Sequence, residues 1–590
     1  MEKKWMMKVL NKEQKAVFRK LKEDERIAIS DVSLRYLIMQ GFDTVEKIND
    51  LLYFKEKDIP DIRQAKDVDK FLERLILAYQ RKECITIMSD YDSDGINGAA
   101  VCMRAIRGMY GFGKVNYFVS HRIKEGYGIS KKSVKRLLEE YPETTLIITI
   151  DNGIAGFEGV EYANSRGVDV IISDHHEPKE DGSLPDAVAV VDVKRHDDQY
   201  PFKELCGAGL IYRLMQELYV EGGYKRKDLH MLLPYVACAT VGDVVSLTGE
   251  NRFYVKEGLK WMRGKLQSPN KGNCTLQCFD SLQQVTNVQE LNEETLGYLY
   301  VPILNAIGRI QGDVIPAIDF MLEDDEKKSL AMAQELVAIN ERRKAICKEE
   351  EEVVMEHLDI IEDDSFLILA DESFDEGIVG IIAGRVKEKT MKPTIVLTES
   401  DEDSDILKGS GRSVPGFNLK KALEMNKDLL VGFGGHELAA GLSIRKKNLN
   451  KFRKAMSELA NNKEFYNRSQ DNLLKIDIAV AEQDINLHLI NTLDSELRPF
   501  GQGFPKPVIG LKDFKAQDVD GLPFKAPESE KKHLKLRGKD VSVMWFNGYQ
   551  EWKKMGMPLD IKCIGNPQAN FYKGKTNLQF IVTMDNLRAD

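Results

Sequence analysis

Aspartate and histidine are the side chains whose spacing in this sequence could do chemistry. Asp90, Asp92 and Asp94 alternate in SDYDSDG, Asp151 opens DNG, Asp174, His175 and His176 run together in SDHHEP, and Asp243 interrupts the apolar stretch ACATVGDVVSL. Carboxylates brought close together repel one another and resist losing water unless cations neutralise them. Carboxylate oxygens with one or two imidazole nitrogens suit Mn²⁺ first and Mg²⁺ second, whereas zinc more often recruits thiolates or additional histidines. With this many ligands two ions can share a bridging carboxylate. Such a pair ionises a water and clamps both oxygens of an in-line displacement at phosphorus. The chemistry indicated is phosphoester hydrolysis.

Each group also has a plainer reading. D-x-D-x-D-G opens an EF-hand calcium loop, but that loop needs Glu at its twelfth position, here Val101, and a helix before it where the sequence reads as a strand. The triplet could be a solvated acidic turn, the His-His pair a structural cap, and Asp243 a helix-ending residue beside Gly242. Cys274 and Cys278 are the one close cysteine pair and lack obvious partners for zinc. Eight cysteines in 590 residues are too sparse for a disulfide framework.

The elements that must position these residues follow from hydrophobic patterning. Short apolar runs at 84–88, 115–119, 146–150, 168–173 and 187–191 alternate with helical patterns, the signature of buried parallel strands in βαβ units. Three of the runs end on the acidic motifs. In an open parallel sheet all carboxyl ends share one edge, where ligand sites form.

The expected α/β architecture is a helical N-terminal cap over 1–78, a parallel-sheet domain over 79–324, a connecting helix over 325–357, a smaller α/β domain over 358–465, and a C-terminal β-barrel over 466–590. The connecting segment lacks Pro and Gly and is amphipathic; the last segment carries five or six short strands separated by turn residues. Length and composition, 43% hydrophobic and 30% charged, fit a multidomain globular protein. The net charge of −10 means that any nucleic-acid site must be a local basic groove. The N-terminus has no apolar core for a signal peptide, and no run is long enough to span a bilayer, so a reduced cytoplasm is the expected location.

DYDSDG, IDNGI, SDHHEP and VGDVVSLTGENR resemble the four signature motifs of the DHH phosphoesterase superfamily, in the form of the bacterial RecJ single-strand-specific exonucleases. EGYGIS, YPFKELCGAG, LNAIGRI, GIVGIIAGRV, SGRS and GGHELAAG resemble further segments of that family, in order, so that the likeness covers most of residues 80–460. The resemblance implies a DHH domain and a DHH-associated (DHHA1) domain. It makes Asp90, Asp92, Asp94, Asp151, His175 and Asp243 the metal ligands, with the division of the first three between ions left open. It gives Asp151, His175 and His176 the catalytic roles, His176 lying beside the substrate phosphate. Arg309, Arg412, Ser413, Gly434, Gly435 and His436 would form the phosphate-binding set. Without the resemblance, GGHELAAG reads as a tight turn and either arginine as a surface ion-pair residue. Asp192-Val193 departs from the family's Asn-Pro, Ile303-Leu304 replaces an Arg-Ile pair, and Phe504 replaces an Asn. None of these removes an implied ligand.

The barrel resembles the family's oligonucleotide-binding (OB) fold. Lys531, Lys532, Lys535, Arg537 and Lys539 form a basic track beside Trp545, Phe546, Phe571 and Tyr572, and stacking on a basic track holds single strands without reading sequence. The plainer alternative puts the aromatics in the core and leaves the lysines solvated. The implied activity is metal-dependent degradation of single-stranded DNA, 5′ to 3′, to 5′-mononucleotides in repair and recombination. A helicase and a single-strand-binding protein are the expected protein partners, and a monomer the expected state. Two rival readings are a DHH phosphodiesterase of short oligonucleotides or cyclic dinucleotides and a non-catalytic nucleic-acid-binding scaffold. Length and the extra barrel weigh against the first, the complete ligand set against the second.

Overall fold

The computed structural model describes the chain apart from residues 1–3, 110–113, 122–124, 126–127, 265–275, 359–364, 401–402, 467–472, 573–574 and 590, and apart from the side chains at 108–109, 355–358, 473, 571–572, 575 and 584–585. Cys274 of the cysteine pair and the rings of Phe571 and Tyr572 lie outside the described residues. The chain divides into two compact units, one of Ile59–Val245 and Phe253–Asp471, the other of Met1–Asp58, Ser246–Arg252 and Asn472–Asp590.

In the first unit the five apolar runs form a wholly parallel sheet. Its spatial order is Lys114–Val119, Cys84–Ser89, Thr144–Ile150, Asp169–Ser173, Ala189–Val191. Ile85, Ile87, Ile147, Ile148, Val170 and Ile172 are fully buried, because helices cover both faces. Lys131–Glu140 and Phe157–Ser165 share a core with one face. Ser93–Met109, Gly207–Glu221 and Leu233–Gly242 pack together as a separate helical layer.

Glu326–Leu358 is a single 33-residue helix, and its Cys347 and Val354 enter the core beneath a second sheet. That sheet runs Leu430–Gly435, Ala439–Arg445, Asp403–Arg412, Thr394–Ser400, Leu367–Ala370, antiparallel except for the last pair. The helix Val379–Thr390 buries Val379, Ile382 and Val386 in the same core as Leu367, Leu369 and Val396.

The second unit contains a seven-stranded sheet formed by Ile478–Val480, Ile509–Lys515, Asp560–Tyr572, Lys575–Ala589, Val541–Trp545, His533–Arg537 and Asp518–Leu522 in that spatial order. The expected helical cap over 1–78 requires correction on two counts. Lys4–Met7 is a strand, paired in parallel with Leu473–Ile476. The cap is also divided: Met1–Asp58 joins the second unit, whereas the helix Val68–Arg81 belongs to the first. The cause is the burial of amphipathic stripes. Leu34, Leu37 and Ile38, with Ile48, Leu51 and Leu52, share one core with Leu534, Leu536, Val543 and Phe580. The Val68–Arg81 helix packs instead beside Ala189–Val191 of the parallel sheet. Among the described residues no helix is long and apolar enough to cross a membrane.

Candidate metal centre

Four adjacent strands of the parallel sheet end level and are each followed at once by an aspartate. The register aligns Ser89 with Ile150, Ile150 with Ser173, and Ser173 with Val191, so Asp90, Asp151, Asp174 and Asp192 stand in a row along the carboxyl edge. Their backbones continue the ladder: the N–H of Asp90 donates to Ile150 O at 3.3 Å, that of Asp151 to Ser173 O at 3.0 Å, and that of Asp174 to Val191 O at 3.1 Å. Asp151 takes a left-handed φ of 62°, a conformation Asp tolerates better than most residues and one that concentrates at functional sites.

The Ser93–Met109 helix starts inside the D-x-D-x-D-G motif. Asp92 Oδ1 accepts from the N–H groups of Asp94 at 2.8 Å and Gly95 at 3.3 Å, as an N-cap does. This helix start overturns the calcium-loop alternative. Gly95 is required because a Cβ there would lie 2.3 Å from the Asp90 carbonyl oxygen. Asp94 is held by the N–H groups of Gly207 and Ala208 at 2.6 and 2.8 Å. His175 Nε2 lies 3.0 Å from Asp151 Oδ1, 3.5 Å from Asp243 Oδ2 and 3.6 Å from Asp94 Oδ2. Three sets have candidate ligand atoms within 4.8 Å of one another: Asp90, Asp92 and Asp151; Asp94, His175 and Asp243; and Asp151, His175 and His176.

The electrostatics fit a divalent cation. Burial, then the neighbouring carboxylates, push Asp94 up to about 6 and Asp243 up to about 8, and raise Asp151 well above the usual carboxylate range. Burial, then His176, lowers His175 to about 3, leaving a neutral imidazole whose nitrogen lone pair can ligate. Asp243 caps the C-terminus of Leu233–Gly242, where the helix dipole already disfavours negative charge. It is therefore both the helix-ending residue and a carboxylate that needs a counter-ion. His176 differs: burial draws its protonation down, but Asp174 Oδ1, 2.8 Å from Nδ1, prevails and raises it to about 9. His176 is thus an imidazolium, and its side chain is 37% exposed.

Asp174 organises this corner. Besides His176 it accepts the N–H of His175 and of Ile154, each at 2.8 Å. Sequence reasoning gives Asp174 no part of its own, although its place at the head of SDHHEP is a usable signal. Asp192 stands out in the sequence only as a departure from Asn-Pro; its place in the row emerges once the strands are in register.

Of the implied phosphate-binding residues, Arg412, Ser413, Gly434, Gly435 and His436 lie on or beside the second sheet, and Arg309 lies in the helix Val301–Ile310. A Cβ added at Gly308 would lie 2.7 Å from the Val314 side chain and 3.4 Å from Tyr91 O, so the helix Val301–Ile310 runs close against the first acidic motif. Arg309 Nη1 donates to Gly377 O at 3.3 Å. Three residues on, a Cβ at Gly380 would lie 3.0 Å from Arg412 Nη2 and 3.1 Å from Ser410 Oγ, so a side chain at the start of the Val379–Thr390 helix would crowd that guanidinium. Arg412 pairs in register with Ala439, and the Ser413 N–H donates to Leu438 O, which brings the exposed His436 turn alongside. Ser413 is a correction: it is buried and its hydroxyl donates to Phe417 O at 2.7 Å, so it shapes the turn. Gly435, at φ 140°, is required by strand packing, because a Cβ would lie 2.4 Å from Ala439 O; Gly434 faces open space.

The nucleic-acid face expected on the C-terminal sheet also changes. Trp545 is 3% exposed, on the inward side of its strand with Val541 and Val543, so it is a core residue and offers no stacking face. Arg537 Nε is paired with Asp520 at 2.7 Å and Lys531 with Glu528 at 2.9 Å. Lys535 does point outward between buried Leu534 and Leu536, and Phe546 is 55% exposed with its ring edge-on to His533.

Comparison with known proteins accounts for this assembly. The "DHH family, N-terminal domain" matches residues 84–240, the "DHHA1 domain" 363–462 and the "RecJ OB domain" 476–584. The RecJ single-stranded-DNA-specific exonuclease of Dickeya dadantii is 33% identical over 468 residues, covering 76% of this chain and 78% of the relative. That of Escherichia coli is 31% identical over 469 residues with the same coverage. The Bacillus subtilis relative is 31% identical over 520 residues, 87% of this chain, and the match spans 62% of its length. A crystal structure of RecJ from Thermus thermophilus in complex with Mn²⁺ superimposes with a TM-score of 0.78 at 22% identity, covering 100% of this chain and 80% of that one. A second, of exonuclease RecJ bound to manganese, has a TM-score of 0.56 at 26% identity, covering 67% of this chain and 94% of that one. The chain belongs to the RecJ family of single-stranded-DNA-specific exonucleases.

Proposed function

We propose that this protein degrades single-stranded DNA from its 5′ end, one 5′-mononucleotide at a time, with Mn²⁺ or Mg²⁺ as cofactor. The observation that carries the reading is the level row of strand-end carboxylates closed by His175 and Asp243. Asp90, Asp92, Asp94, Asp151, His175 and Asp243 would hold two ions. Bound there, divalent ions supply Lewis-acid neutralisation of a phosphate and a water ionised at neutral pH.

The chain's own residues supply positioning and charge, on which phosphoryl transfer mainly depends. The Gly207 and Ala208 N–H groups fix the Asp94 carboxylate. Asp174 holds the His176 imidazolium so that Nε2–H can donate to a non-bridging phosphate oxygen. Arg309 and Arg412, steadied by the Gly377 carbonyl and by Ser410 Oγ at 2.6 Å, place guanidinium charge for a second phosphate, with His436 and Gly434 beside it. In this assignment the 3′ oxygen leaves, and no separate side-chain base is needed.

Single strands in a cell arise by unwinding, so a helicase and a single-strand-binding protein are the partners this reading calls for. A cytoplasmic location is supported by the seven described cysteines, all free and buried.

The test is degradation of end-labelled single-stranded DNA in Mn²⁺, with 5′-blocked and 3′-blocked ends, duplex DNA, RNA and an Asp151→Ala control. Mononucleotide release stopped by the 5′ block and lost in the control is the expected result. Turnover restricted to dinucleotides, or no turnover despite metal binding, would reject it in favour of a small-substrate phosphodiesterase or a scaffold.

A further inference from the structure

We propose that Lys194 is an additional substrate contact: its ammonium meets a phosphate oxygen of the single strand at the rim of the metal centre, on the His176–Glu177 side. The inference rests on the exonuclease reading and adds to it a cation from the parallel-sheet domain itself.

Lys194 follows the row of strand-end aspartates. Ala189–Val191 lies beside Asp169–Ser173 with Val191 level with Ser173, so the turn after Val191 emerges next to Asp174, His175 and His176. That turn is pinned on both sides of Lys194. Asp192 Oδ1 accepts the Lys194 N–H at 2.7 Å. The next residue, Arg195, is anchored to Val190 O at 2.6 Å, to Asp67 at 2.8 Å and to Asp197 at 2.9 Å. These contacts fix the backbone on either side of Lys194.

The ammonium lies 3.5 Å from Glu177 Oε1, one residue past His176, and the Lys194 side chain is 24% exposed. Glu177 is 67% exposed, and a long, solvated ion pair of this kind holds a lysine only weakly. A compact ammonium on a flexible stem binds phosphate as a point charge, and here it would approach from an element separate from those carrying Arg309 and Arg412.

The experiment measures kcat and KM on a 5′-phosphorylated oligothymidylate in Mn²⁺ over a range of salt, for the unaltered protein, Lys194→Ala, Lys194→Arg and Glu177→Gln. Lys194→Ala should lower kcat/KM about tenfold, mostly through KM, and flatten the slope of log(kcat/KM) against log salt by about 0.7, the share of one phosphate contact on a single strand. Lys194→Arg should keep the slope, and Glu177→Gln should leave kcat/KM equal or higher. An unchanged slope in Lys194→Ala with a shifted Mn²⁺ requirement would make Lys194 a counter-charge to the carboxylates and overturn the proposal, as would a Glu177→Gln variant that behaves like Lys194→Ala. Absence of hydrolysis by the unaltered protein would instead overturn the exonuclease reading, and the inference with it.

Discussion

The edge of the parallel sheet and the outer face of the C-terminal sheet both display residues of functional character, yet they treat them differently. At the edge, Asp90, Asp151, Asp174 and Asp192 follow the last strand residues, buried but outside the apolar cores that the strands fill. On the C-terminal sheet the same kinds of residue lie within strands, so alternation and pairing decide their fate: Trp545 turns inward and Arg537 is matched by Asp520. A polar residue immediately after a buried strand is therefore a stronger functional signal than an aromatic or basic one inside an alternating strand.

The largest expected effect comes from the edge. Asp151→Ala should reduce hydrolysis by about a thousandfold or more, beyond the roughly 10- to 100-fold usual for an outer partner of a metal site, without lowering the melting temperature. Activity within tenfold of the unaltered protein would break the contrast. On the C-terminal sheet, Trp545→Ala should act on folding, costing about 3–5 kcal/mol as a buried aromatic lost from a packed core. Denaturant titration checks this, and an unshifted midpoint with weakened DNA binding would restore Trp545 as a stacking residue.

Next comes pH. Asp94 at about 6 and Asp243 at about 8 are raised by burial first and neighbouring carboxylates second. In the metal-free fold they hold protons that the unfolded chain has released, so the stability they contribute is full below about pH 4 and is lost as pH rises to about 8. Metal-free melting temperature should fall across that window. Mn²⁺ at a fixed concentration about 100 times its Kd at pH 8 should add about 2.7 kcal/mol there and less at pH 6, because protons compete for the same oxygens. A flat metal-free profile, with equal gains at both pH values, would refute the charge balance described for the centre.

Gly380→Ala should crowd Arg412 and lower kcat/KM roughly 10- to 100-fold, with the melting temperature nearly unchanged; unaltered kinetics would remove Arg412 from the phosphate site. The smallest effect belongs to Arg537→Ala. Its surface pair should be worth about 0.5 kcal/mol or less, and a large loss of DNA affinity in a filter-binding assay would show that this cation serves the nucleic acid after all.

How much of this was legible in the sequence follows from the same contrast. Near-continuous apolar runs disclose parallel strands because both faces are buried, and once the strands are placed, the residues after them fall on one edge; Asp90, Asp151 and His175 needed no more than that, whereas Asp243, which ends the helix Leu233–Gly242, was marked as a ligand only by the family resemblance. The partner of the N-terminal helices was not legible. An apolar stripe such as Leu34, Leu37 and Ile38 states that it must be covered but not by what, and the C-terminal part of its cover begins about 440 residues later in the chain. The inward turn of Trp545 was open for a related reason, since HLKLR and VSVMW each alternate and a shift by one residue exchanges their faces. Ser413 lies in a family-like segment, yet its hydroxyl is directed to a carbonyl four residues on, a turn geometry that residue type alone does not reveal.

The row of aspartates has one further consequence. Adjacent strands stand about 4.8 Å apart, and paired catalytic ions stand about 3.5–4 Å apart, so Asp90 and Asp151, rooted at the ends of neighbouring strands, would have only to lean slightly to serve the two ions of the proposed centre. The sheet acts as a ruler whose graduations are set by backbone hydrogen bonds. Surrounding loops can therefore change in length or composition without altering the spacing on which the chemistry depends.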